Sequence, residues 1–356
     1  MPLETSPSRV LIYRQGSLGD TLVALPCFHL IARSFPQAQR HLLTNFPVHS
    51  KAPAAAAVLG GSGFVQGYLR YNTGTRSPRE LLRLVREIRR FKPDLLVYLM
   101  PVRAPQDAER DRRFFRYACG IRRIVGLPQR DERDRILDPV TGMYEPESAR
   151  LARMIAELGP AAPDIAENRS LCLTPEEREK AREVLAPLGG QRFFVIGPGT
   201  KMQAKDWGQD NWRALAAELS SQYPGHGLAL VGAPEESETS DVVAQGWNGP
   251  NVNLCGKLSP RETAAVIEHA RVFLGPDSGP MHLAASTGVP AVIAFSARGL
   301  PGVWFPAGTE NRVIYHKTSC FGCNLETCIE EQRRCLTAIT VTEMANAVAS
   351  VLSPGR

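Results

Sequence analysis

Residues 9–26 read RVLIYRQGSLGDTLVALP, and this stretch decides the fold. Arg9–Tyr13 is an apolar run of strand length, residues 14–20 form a turn with two glycines, and apolar residues recur at helical spacing from about Thr21 to Ser34. A strand, a glycine-bearing turn and a helix make a Rossmann-like opening. The alternation continues along the chain. Leu81, Leu84, Val85 and Ile88 give a helix over Pro78–Phe91, and Asp94–Met100 reads as a buried strand. Thr174, Pro175, Glu176 and Glu177 form a capping box that opens a helix to about Leu188. Strands are then expected at Phe193–Ile196, Gly227–Val231, Val272–Leu274 and Ala291–Phe295, and helices at Asn211–Tyr223, Pro260–His269, Met281–Thr287 and Val341–Leu352. Such alternation implies doubly wound parallel sheets.

A chain of 356 residues exceeds the growth of a single core, so two domains are expected, 1–167 and 168–340, with a closing helix over 341–356. No apolar run approaches the roughly 20 residues that span a bilayer, and Met1–Arg9 lacks the pattern of an export signal, so a soluble cytoplasmic protein is expected. The formal charge of +6 is too small to call for a nucleic acid partner. Ten arginines lie between Arg103 and Arg135, among them Arg110, Arg112, Arg113, Arg116, Arg122 and Arg123. They suit either an anionic acceptor or membrane surface, or a solvated helix face.

Ligands of open parallel sheets sit at the carboxyl ends of the strands, so the turns after strands carry the chemistry. The first holds Arg14, Ser17, Gly19 and Asp20. It is neither a dinucleotide fingerprint nor a P-loop. Asp20 is either a helix cap or a general base facing a cleft. The turn after Ile196 delivers Thr200 and Lys205; the lysine is either a surface residue or a point charge for a leaving diphosphate. After Val231, Glu235 or Glu236 suits a ribose hydroxyl, or is merely a first-turn helix charge. The turn Asp277, Ser278, Gly279, Pro280, Met281, His282 opens a small-residue helix whose amides suit phosphate oxygens. The plainer alternative there is an N-cap pair and a packed core histidine.

Three of these turns together resemble glycosyltransferase family 9, the ADP-heptose:lipopolysaccharide heptosyltransferases, in nearly the whole chain. Gly19, Asp20 and Pro26 match the family's opening motif; Pro198, Gly199, Thr200, Lys205 and Trp207 its central one; Asp277, Ser278, Gly279 and His282 its donor-site one. The resemblance implies a GT-B fold: two Rossmann-like domains facing a central cleft, the first for the acceptor, the second for a nucleotide sugar, with a last helix that crosses back to the first domain. It implies inverting transfer, with heptose from ADP-heptose as the expected donor and a lipopolysaccharide core or lipid-linked glycan as acceptor, in transient contact with the inner membrane. Asp20 is then the base and Lys205 stabilises the diphosphate. Thr200, Asp277, Ser278, Gly279 and His282 hold the phosphates, Glu236 the nucleoside, and Arg14, Ser17 and Gly19 the acceptor. No cofactor is implied for catalysis.

Cys320, Cys323, Cys328 and Cys335 fall within 16 residues, a spacing open to a structural Zn or Fe site, to reduced thiols or to disulfides. Two rivals follow: a metal or redox protein on a nucleotide-binding scaffold, and a nucleotide-sugar epimerase that acts without an acceptor.

Overall fold

The computed structural model describes residues 6–46, 54–75, 77–101, 104–128 and 135–353. The chain divides into two compact units, one containing residues up to 138 together with 145–172, the other 139–144 together with 173 onward.

The first unit is a parallel sheet of β1 (Arg9–Tyr13), β2 (Gln39–Asn45), β3 (Gly67–Tyr71), β4 (Leu95–Tyr98) and β5 (Arg123–Val125), in the order β3-β2-β1-β4-β5. Helices cover both faces, so the central strands are apolar along their length instead of alternating. Val10, Leu11, Ile12, Leu95, Leu96 and Val97 are all fully buried. The helix expected over Thr21–Ser34 is two helices, α1 (Leu18–Leu22) and α2 (Leu25–Ser34). Proline fits only the first turn of a helix, and Pro26 occupies that position in α2, so the chain must restart just before it. Next come α3 (Ala55–Leu59), α4 (Pro78–Phe91), α5 (Pro105–Arg113) and α6 (Glu147–Met154).

In the second unit β6 (Phe193–Ile196), β7 (Gly227–Leu230), β8 (Asn251–Asn253), β9 (Phe273–Pro276), β10 (Ala291–Phe295) and β11 (Arg312–Tyr315) order as β11-β10-β9-β6-β7-β8, again parallel. Its helices are α7 (Pro175–Leu185), α8 (Gln209–Gln222), α9 (Ser237–Ala244), α10 (Pro260–Glu268), α11 (Gly279–Thr287), α12 (Arg334–Thr337) and α13 (Val341–Leu352). Both sheets reverse their strand order beside their first strand, between β1 and β4 and between β6 and β9. Ligand crevices of such sheets open at these switch points.

One boundary lies a few residues from the sequence expectation. The units part after Cys172, not after residue 167, because Asn168 and Ser170 are tied to α2: Arg33 Nη1 donates to Asn168 Oδ1 at 2.5 Å and His29 Nε2 lies 2.8 Å from the Ser170 carbonyl. The closing helix α13 buries Met344, Ala345, Ala347 and Val348 in the core of the second unit, against α8, β10 and β11.

Candidate functional site

In the first unit the turn after β1 runs into α1, with Ser17 as N-cap and Asp20 at the third helical position. Asp20 Oδ2 accepts from Ser17 N at 2.8 Å and from Ser17 Oγ at 3.1 Å. The carboxylate therefore caps the helix, yet it keeps 27% of its side-chain surface exposed. Ser17 and Gly19 are half-buried on the same turn. Gly16 takes φ +131°, and a Cβ there would fall 2.2 Å from Asp20 Cβ, so only glycine lets the turn close on the carboxylate.

Arg14, expected at the acceptor, is 1% exposed. Its Nε and Nη2 donate to the Asp20 carbonyl at 2.9 and 2.7 Å and its Nη1 to the Leu99 carbonyl at 2.7 Å. With those donors consumed, Arg14 supports the Asp20 turn from inside the fold and does not reach a ligand. Beneath it lies a carboxylate that the sequence reading missed. Glu147, fully buried, pairs with Arg14 at 3.6 Å, Arg135 at 2.9 Å and Arg150 at 2.8 Å. Burial pushes its carboxyl up, but Arg150, with Arg14 and Arg135, outweighs that and holds it below the ordinary range. Its only sequence trace is the Glu147–Arg150 spacing of three on α6.

The basic segment divides: Arg135 turns inward to Glu147, while the arginines of α5 form a solvated face. Arg110 pairs with Asp107 and Asp111, and Arg112 and Arg113 both pair with Glu109, with the arginines 42–71% exposed. Arg103, Arg130 and Arg133 lie outside the described residues.

In the second unit the turns after β6, β7 and β9 converge. Lys205 Nζ donates to Asp277 Oδ1 at 3.0 Å, and Ser296 Oγ, just past β10, donates to Asp277 Oδ2 at 3.1 Å. Asp277 is 6% exposed, so the pair lies in a low-dielectric pocket where charge interactions are strong. Ser278 is the N-cap of α11 and Gly279 its first residue. Ser278 Oγ is buried and has no hydrogen-bond partner among the described residues. Buried hydroxyls are seldom left so; Pro280 carries no N–H and Met281 N donates to the Ser278 carbonyl at 3.3 Å, so the Gly279 N–H is the first-turn amide that remains beside this hydroxyl to seat an anion.

Glu236, not the exposed Glu235, faces this region. Its Oε2 accepts from Ala233 N at 2.7 Å. A Cβ on Gly199 would lie 2.0 Å from its Cδ, and one on Gly232 2.4 Å from its Oε2, so two glycines make room for this carboxylate between the β6 and β7 turns. Thr200 is half-buried on the same turn, its Oγ1 accepting from Met202 N at 3.4 Å. Trp207 is a core residue whose Nε1 donates to the Ile339 carbonyl at 3.0 Å.

His282, one turn into α11, is 7% exposed. Burial pushes its imidazole down to about 4; Asp277 opposes this and Lys205 adds to it. At neutral pH it is an uncharged ring that shapes the pocket without contributing a cation. Because the folded-state value lies below the unfolded one, the folded form binds fewer protons. Its stabilising contribution is full above the ordinary histidine value of about 6.5 and is lost as pH falls toward 4. Thermal melts of His282→Gln against the parent chain should show the parent losing on the order of 3 kcal/mol more across that window. Parallel curves would place this histidine in water.

The four clustered cysteines differ in burial. Cys328 and Cys335 are buried, Cys320 half-buried and Cys323 exposed, all as free thiols. Cys335 packs in the core with Leu336 and Ile339, and Cys328 Sγ accepts from Arg333 N at 3.3 Å. Among the described residues no group of three or more His, Cys, Asp or Glu is arranged to hold a metal ion.

Comparison with known proteins bears on both units. A solved glycosyl transferase of family 9 from Veillonella parvula shares the fold over 98% of each chain, at a TM-score of 0.75 and 16% identity. The Escherichia coli heptosyltransferase WaaC, solved with ADP, aligns with a TM-score of 0.63 and 17% identity over 96% of this chain and 99% of its own. The architecture is thus the GT-B fold. In sequence, lipopolysaccharide heptosyltransferase 3 of Escherichia coli is 32% identical over 127 residues, 35% of this chain and 37% of its own length. The chain spans less than half the length of the curated relatives it matches most strongly. The model of glycosyltransferase family 9 (heptosyltransferase) matches residues 152–333, just over half of the chain and the stretch that carries Lys205, Glu236, Asp277 and His282. The chain belongs to glycosyltransferase family 9.

Proposed function

We propose that this chain is an inverting glycosyltransferase that moves heptose from ADP-heptose to a lipopolysaccharide core or a related lipid-linked glycan. Asp20 takes the proton of the acceptor hydroxyl as that oxygen attacks the anomeric carbon opposite the diphosphate. The bond from that carbon to the diphosphate oxygen breaks, and ADP leaves with the added negative charge. Lys205, the Gly279 N–H at the start of α11 and Ser278 Oγ receive the charge as preorganised donors. Glu236 accepts from the nucleoside's ribose, while Thr200, Asp277, Gly279 and His282 shape the phosphate pocket, with Ser17 and Gly19 on the acceptor turn.

The observation that carries the reading is the Lys205–Asp277 pair beside the unpartnered Ser278 hydroxyl at a helix start, at the sheet's switch point. That arrangement supplies a movable cation and fixed dipoles where a diphosphate would lie. No step of this transfer is routed through a metal. No helix among the described residues is long and apolar enough to cross a membrane. In this reading the enzyme works in the cytoplasm and touches the inner membrane only through its acceptor.

Calorimetric titration with ADP, ADP-heptose, UDP, GDP and CMP in chelator-treated buffer tests the donor. ADP and ADP-heptose should bind at least about tenfold tighter than the others. Preference for another nucleotide would overturn the choice of donor.

A further inference from the structure

The cysteine-bearing segment runs along the turn that carries Lys205 and bonds to it on both sides of the lysine. Ala204 N donates to the Glu326 carbonyl at 3.0 Å. Gln203 and Cys328 exchange two bonds, Cys328 N to Gln203 Oε1 at 2.8 Å and Gln203 Nε2 to the Cys328 carbonyl at 3.4 Å. Arg333 Nη1 donates to the Asp206 carbonyl at 2.7 Å and to Asp206 Oδ2 at 3.2 Å. Trp207 Nε1 completes the series on Ile339. Residues 203, 204, 206 and 207 are therefore each held by the stretch 326–339, with Lys205 between them.

The same segment also reaches the turn after β10. Gly322 N donates to the Ala297 carbonyl and Asn324 N to the Arg298 carbonyl, both at 2.8 Å. The Arg298 guanidinium returns to the carbonyls of Asn324 and Leu325, both at 2.7 Å. That turn begins at Ser296, which holds the second oxygen of Asp277. One piece of chain thus ties together the two turns that hold opposite ends of the Lys205–Asp277–Ser296 array. Its footing is firm: Cys335, Leu336 and Ile339 are buried beside Trp207. Gln332 and Arg333 both take left-handed φ values, 45° and 57°, a conformation that side-chain-bearing residues rarely adopt.

We propose that residues 322–339 are a positioning strap for Lys205, with Gln203 and Arg333 as its positioning residues. By fixing the backbone on either side of the lysine, the strap preorganises the ammonium at the start of α11 and so raises affinity for the donor's diphosphate. The proposal rests on the reading of Lys205 as the diphosphate's cation.

The test is titration with ADP, alongside thermal melts, of Gln203→Ala, Arg333→Ala, Arg333→Lys, Lys205→Ala and the Gln203→Ala/Lys205→Ala pair. Gln203→Ala and Arg333→Ala should each weaken ADP binding by about tenfold, and Arg333→Lys, which can still donate to Asp206, should recover part of the loss. In the Lys205→Ala background Gln203→Ala should cost nothing further, because two residues that act through one contact are not additive. Unchanged ADP affinity in Gln203→Ala, or the same loss in both backgrounds, overturns the strap. If Lys205→Ala itself leaves ADP binding intact, the underlying reading of the lysine fails instead. Should Gln203→Ala not fold, Gln203→Glu keeps the acceptor for Cys328 N while removing the donor, and the same comparison of backgrounds applies.

Discussion

Asp20→Asn is expected to lower kcat by roughly 10²–10⁴-fold while ADP affinity stays within about twofold. The substitution is nearly isosteric, and an asparagine oxygen can still accept from Ser17 N and Ser17 Oγ, so the cap of α1 survives. What disappears is the capacity to take a proton. Asp20→Ala removes the cap as well and should cost a further ~1 kcal/mol of stability. The two variants therefore separate the structural role from the chemical one: equal melting with collapsed turnover in Asp20→Asn assigns the base. Retained turnover would reduce Asp20 to the helix cap that its geometry already provides.

Lys205→Ala is expected to weaken ADP binding by about tenfold or more and to lower kcat as well. The ammonium interacts with charge that the donor already carries, hence the affinity loss, and with charge that grows as the diphosphate departs, hence the loss of rate. Asp277 keeps Ser296 Oγ as a partner, and Lys205 is itself 19% exposed, so the stability cost should be modest, about 1–2 kcal/mol. Calorimetry and initial rates read the two effects separately. Unchanged ADP affinity would mean that the lysine serves only to neutralise a buried aspartate.

The sequence displayed the interior of both sheets better than their edges. β1, β4, β6 and β10 are unbroken apolar runs because helices bury both their faces, and such runs stand out without any knowledge of topology. β3, β8 and β11 are edge strands, partly exposed and carrying Arg70, Asn251 and Arg312, so they look like loops. β2 is not an edge strand, yet it escaped notice for another reason. Arg40 and His41 interrupt its apolar character, and only the fold reveals Arg40 bonded to the carbonyls of Phe35, Ala38, Gly63 and Phe64, and His41 stacked 4.0 Å over Phe91.

The site followed a similar division. Asp20, Lys205, Asp277 and Ser278 sit in turns whose composition and order carry a signal. Gln203, Ser296 and Arg333 do their work through contacts across long stretches of chain, which no spacing announces, and Glu147 left only its spacing of three to Arg150. Arg14 shows the limit from the other side: its place in the turn was legible, its depth was not. The clustered cysteines were legible as a cluster, but the burial of Cys335 in the core and the Cys328 Sγ contact with Arg333 N were not, because neither follows from spacing.

The central claim is acceptor-dependent transfer from ADP-heptose. It is tested most directly by incubating the purified chain with ADP-heptose and heptose-deficient lipopolysaccharide core in EDTA, and following ADP release together with the anomeric configuration of the product. ADP should be released only when acceptor is present, with the configuration inverted. ADP-heptose left intact while another nucleotide sugar is consumed, donor turnover without acceptor, or retained configuration would contradict it.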